Sequence, residues 1–217
     1  METISPDSGN RIGAETLRLP VPPAPHALGL PHHHGGKVGM ASFLLSEVAF
    51  FGTLIMAYIA YLPLIRASDP GPKKVFDMWM VLGSTLCLWS SSLTVHMATR
   101  SLSRGLWGGF RFWWGLTILL GAAFLAGTAM EWHDLIYTWK LTPSLNMFGT
   151  CYFTLVGFHA FHVSIGLLLL TSLLLFSLGG PALVEKPLNA ELVSWYWHFV
   201  DGVWVVVFIL VYLVSQY

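Results

Sequence analysis

Glu47 stands in the run Phe43-Leu44-Leu45-Ser46-Glu47-Val48-Ala49-Phe50-Phe51, with no Lys or Arg near it in sequence. An ionised carboxylate in so apolar a setting is expensive, so the group must find a partner or keep its proton. Two roles fit: an acid that handles protons or touches lipid, or a neutral acid giving one interhelical hydrogen bond. His159 and His162 lie three residues apart and therefore share a helix face. With His198 and His96 they could ligate iron, copper or zinc, or they could bridge helices through hydrogen bonds. His198 and Asp201 repeat the same spacing, which suits a charge-assisted pair or a self-neutralising lock onto a neighbouring helix. Glu131 and His133 fall where a helix should end, so solvation at the interface is expected for both.

Long apolar helices must position these groups. A helix needs roughly twenty mostly apolar residues to cross a hydrocarbon core about 30 Å thick, and five stretches satisfy this. The predicted helices run about 38–64, 78–98, 112–130, 146–178 and 190–212. Between Lys140 and Glu185 no charged residue occurs at all. The breakers are Asp69-Pro70-Gly71-Pro72 after the first helix, Gly108-Gly109 before the third, Pro143 before the fourth and Gly179-Gly180-Pro181 after it. The expected fold is all-α, a polytopic bundle of five transmembrane helices over residues 37–217. Residues 1–36 carry Pro20, Pro22, Pro23, Pro25, Pro31 and the triplet His32, His33, His34, and read as a flexible extramembrane tail. The triplet reads as solvated linker rather than as a metal site.

An odd number of spans puts the two ends of the chain on opposite sides. Lys37, Arg100, Arg104, Arg111 and Lys186 flank the membrane on the N-terminal side, against Arg66, Lys73, Lys74 and Lys140 on the other. This excess favours a cytoplasmic N-terminus. Small residues let membrane helices approach, so Gly83, Cys87 and Ser91, then Ala123 and Gly127, then Gly149 and Gly157 are expected at helix–helix contacts.

Composition removes several function classes. Hydrophobic residues make up 55% of the chain and charged residues 10%, against about 25% charged in soluble domains; mean hydropathy is +0.65. Zero formal net charge offers nothing to nucleic acid. Cys87 and Cys151 lie inside apolar runs and form no C-x-x-C pair, which argues against thiolate metal sites and dithiol redox chemistry. No phosphate loop, nucleophile elbow or zinc-protease helix occurs. The missing internal repeat argues against a transporter built from inverted halves.

Read together, Gly39-Met40 through Phe51, Thr94-Val95-His96, Glu131-Trp132-His133, Gly149 through Gly166 and Trp195 through Trp204 resemble subunit III of the haem–copper respiratory oxidases, in its five-helix bacterial form. Their order and spacing cover nearly everything beyond the tail. The resemblance implies a subunit with no active site, haem or copper of its own, those cofactors residing in partner subunits I and II. It also implies packing on subunit I, contact with phospholipid, support of proton uptake, residence in the bacterial cell membrane and a place in a larger respiratory assembly. Glu47, His159, His162 and His198 match the family's buried acid and histidines. A seven-helix form has two further N-terminal helices framing a lipid cleft, which this chain replaces with its Pro-rich tail. A quinol oxidase or a nitric oxide reductase partner remains an alternative to cytochrome c oxidase. In other classes, a stand-alone metalloenzyme built on His159, His162 and His198, or a transporter using Glu47, stays open on the residues alone.

Overall fold

The computed structural model describes residues 32–179 and 187–216, and all regular structure there is helical. Expectations for residues 1–31, for the side chains of His32–His34 and for residues 180–186 lie outside the described residues, whereas residues 32–36, expected as part of the tail, are helical. Five elements are long and apolar enough to span a membrane. They begin with α1 (His32–Ala60), which is followed by the short helices α2 (Leu62–Arg66) and α3 (Pro72–Val75). Then come α4 (Met78–Ser103), α5 (Trp107–Tyr137), α6 (Met147–Leu178) and α7 (Pro187–Phe208). A π-helical turn (Ile209–Leu213) and a 3₁₀ turn (Val214–Gln216) prolong α7.

Local chemistry explains the boundaries. Asp77 caps α4 by accepting from the Trp79 N–H at 3.1 Å, and Asn146 caps α6 by accepting from the Gly149 N–H at 2.8 Å. The Asn146 amide also donates to the Pro70 carbonyl at 3.2 Å, tying the α2–α3 loop to the foot of α6. The break between α4 and α5 is not at Gly108-Gly109, as the sequence suggests. Gly105, at φ 73°, ends α4 in a Schellman turn, with Leu106 N–H bonded to the Ser101 carbonyl and Gly105 N–H to that of Leu102. Both Gly108 and Gly109 lie inside α5, where a Cβ on Gly109 would stand 3.3 Å from Ser101 Oγ.

The core forms around α7. Trp197 is buried between Gly121 of α5 and Gly166 of α6; a Cβ at either glycine would come within 2.7 or 2.8 Å of its ring. Its indole N–H donates to Ser91 Oγ of α4 at 2.9 Å, so one side chain registers four helices. Thr94 and Thr117 join α4 to α5 at 2.8 Å, and Gly127 packs on Ser84. Not every expected small-residue contact exists: Gly83 has open space beside it and Ala123 is exposed. Gly149 abuts the Thr142 carbonyl of its own loop, not a neighbouring helix. Small residues at four-residue spacing mark a face that permits close approach without stating which face is covered.

Candidate functional site: a buried acid–imidazole pair between α1 and α6

α1 places Glu47 toward α6, where Glu47 Oε2 lies 3.1 Å from His162 Nε2. Both side chains are largely withdrawn, at 17% and 10% exposure. The other ring nitrogen, Nδ1, sits 2.7 Å from the Phe158 carbonyl one turn earlier in α6. A carbonyl only accepts, so Nδ1 carries a proton and the tautomer is set. Nε2 then either accepts the proton of a neutral Glu47 or shows its own N–H to a carboxylate. Both arrangements have zero net charge and differ by one proton moved along one hydrogen bond. This is how the bilayer tolerates the acid, because an unpaired ion there would cost far more.

Aromatic rings wall the pair. Phe51 meets the His162 ring edge-on at 4.9 Å, Phe50 lies 6.2 Å from it, and the Tyr196 hydroxyl donates to the His162 carbonyl at 3.1 Å. At the N-terminal end of α1, Lys37 Nζ meets Glu191 Oε1 of α7 at 2.7 Å and lies over the Trp195 ring. These two polar ties fasten a helix that otherwise leaves most of its surface uncovered.

The remaining histidines are dispersed. His159 is fully buried, stacked on Trp204 at 4.9 Å and edge-on to Phe124, with neither ring nitrogen partnered among the described residues. His198 is exposed and its Nδ1–H donates to Ser92 Oγ at 3.3 Å, while His96 is exposed on α4. His162 is engaged with Glu47 and His159 is enclosed by rings, so the triad a metalloenzyme would need is not gathered. Among the described residues no group of three or more His, Cys, Asp or Glu side chains converges.

Two expectations are corrected. His198 and Asp201 make no direct ion pair among the described residues; Ser92 of α4 stands between them, its hydroxyl donating to Asp201 Oδ2 at 2.5 Å. Glu131 is not solvated, because α5 continues to Tyr137 and holds the carboxyl inside the bundle at 9% exposure. His133, by contrast, is exposed beside Asp134. The Tyr212 hydroxyl donates to Glu131 Oε2 at 2.9 Å, which obliges Tyr152, 3.3 Å from Tyr212, to donate to it in turn. Tyr212 belongs to the π turn that prolongs α7. Ser92, Tyr152 and Tyr212 escape a search limited to charged groups. The one sequence signal for them is a hydroxyl deep in an apolar helix.

The described residues thus form a bundle of five helices long and apolar enough to span a membrane, with an acid–imidazole pair buried between α1 and α6. The family description "cytochrome c oxidase subunit III" matches residues 27–216. Cytochrome c oxidase subunit 3 of Synechocystis is 34% identical over 83% of this chain and 78% of its own length. The protein of the same name from Bacillus subtilis is 34% identical over 82% and 86%. Cytochrome bo(3) ubiquinol oxidase subunit 3 of Pseudomonas aeruginosa is 35% identical over 88% and 93%. The chain belongs to the cytochrome c oxidase subunit III family, and a subunit III is by its name one component of a multisubunit oxidase complex.

Proposed function

We propose that this chain is the non-catalytic third subunit of a haem–copper terminal oxidase, packed on subunit I in a bacterial cell membrane. Haem and copper belong to subunits I and II in this reading, and this chain contributes stability, lipid contact and support of proton uptake. The Glu47–His162 pair carries the proposal: it is an acid–imidazole hydrogen bond across the α1–α6 seam of a membrane bundle. A residual exposure of 17% at Glu47 leaves it open to the seam of α1. The N-terminus faces the cytoplasm, a reading supported by five flanking cations against four.

Glu47→Gln in the intact complex tests this. Subunit retention and haem content should be unchanged, with turnover falling far less than the ~10²–10⁴-fold lost with a catalytic proton-transfer group. Haem loss, or turnover lowered a hundredfold, would contradict it. The likeness to a ubiquinol oxidase subunit supports a second reading, in which quinol is the donor. Identifying the redox polypeptides that copurify after mild solubilisation separates the two.

A further inference from the structure

The loop between α2 and α4 builds a cavity of about 300 Å³ lined by Arg66, Ser68, Asp69, Lys73, Lys74 and Ser215. Its three cations outnumber the single acid. One guanidinium nitrogen of Arg66 donates to the Val214 carbonyl at 2.7 Å, which fixes the side chain and leaves its other donors free. Lys74 meets Asp69 at 2.8 Å, but both side chains are well over half exposed, so this tie is weak and easily exchanged. Lys73 is exposed and has no partner among the described residues.

The depth of the cavity is marked by exposed aromatics. Tyr61 beyond α1, Trp79 at the start of α4, and Tyr137 and Trp139 at the end of α5 all lie at this end of the bundle. Such a girdle marks the headgroup level. An apolar furrow of about 330 Å³ between α1 and α6, lined by Leu54, Ala57, Tyr58, Met147 and Cys151, reaches the same end at Tyr61.

We propose that the Arg66–Lys73–Lys74 cavity binds the phosphate of an anionic phospholipid, one acyl chain lying in the α1–α6 furrow. This deepens the lipid-contact part of the functional reading by naming a site and a headgroup class. The planar guanidinium suits a phosphate oxygen pair and the lysines add point charges. A zwitterionic lipid carries its own cation and would gain less.

The test uses the intact, delipidated complex, titrated with phosphatidylglycerol, phosphatidylcholine of the same chains, or inorganic phosphate, and read by native mass spectrometry. At about a factor of five per basic charge, Lys73→Ala should weaken phosphatidylglycerol about fivefold and Lys73→Glu about thirtyfold. Phosphatidylcholine should be unmoved and Lys73→Arg should bind as the parent does. Ala57→Trp, which fills the furrow, should weaken both lipids. Equal phosphatidylglycerol binding by parent and Lys73→Glu overturns the site, and binding of inorganic phosphate alone at equal affinity overturns the lipid. A haem-replete complex without this selectivity refutes only the site. Absence of haem-bearing partners refutes the subunit reading instead.

Discussion

Removing His162 should harm the protein more than removing His162 and Glu47 together removes per residue, and the structure allows the size of this effect to be worked out. In His162→Leu the hydrogen bond at 3.1 Å disappears and the carboxyl of Glu47 is left in an apolar seam. A lost hydrogen bond to a group that can be charged is worth about 1.5–3 kcal/mol. The edge-on contact with Phe51 adds about 0.5–1 kcal/mol, offset in part by the leucine. Breaking a buried pair costs about 3–5 kcal/mol when the survivor stays ionised. Glu47 keeps 17% exposure and is not fully desolvated, so the cost falls below that span, at about 2–3 kcal/mol. Glu47→Leu leaves a neutral imidazole still satisfied at Nδ1 by Phe158 and should cost about 1–2 kcal/mol. The double Leu variant should fall short of the sum by about 1.5 kcal/mol, because the second substitution removes a group already orphaned. Thermal dissociation of the complex, monitored by retention of this chain, reads the series at roughly 2–4 °C per kcal/mol. Strict additivity, to within about 0.5 kcal/mol, would refute the pair as the reason Glu47 is tolerated.

Two further perturbations probe the frame around the pair. Gly166→Ala sets a methyl against the Trp197 ring, where a Cβ would lie 2.8 Å away, and overpacking of this kind costs about 1–3 kcal/mol. The same assay should show a lower midpoint, and Gly83→Ala, with open space beside it, should show none of that loss. Tyr212→Phe removes the donor at 2.9 Å to Glu131 and should destabilise by about 1–3 kcal/mol, more than Tyr152→Phe, whose hydroxyl lies 3.3 Å from that of Tyr212. An equal effect of the two tyrosine variants would show that the hydroxyls act independently.

The candidate site was half legible in the chain. Glu47 declared itself because a carboxylate inside an apolar run has no cheap alternative to a partner, and His162 stood among the groups able to serve. Which imidazole would serve was not legible: His159, one turn away on the same face, turns instead into the slot between Trp204 and Phe124. Glu131 escapes the sequence because its polar cluster resembles a helix end, whereas α5 runs on to Tyr137. A carboxyl that receives a tyrosine hydroxyl from another helix at one of its oxygens can stay inside the bundle.

Chain chemistry by itself determined that this is a five-span helical protein, since charge-free runs of that length have only one way to satisfy their backbone in hydrocarbon. It also confined any buried chemistry to a handful of acids and imidazoles. Tertiary structure alone decided the pairings: Glu47 with His162, Glu131 with Tyr212, and Asp201 with Ser92. Lipid and core are almost equally apolar, so a transmembrane sequence records weakly which face of a helix turns inward. That face is settled by close packing, as where Gly121 and Gly166 admit Trp197.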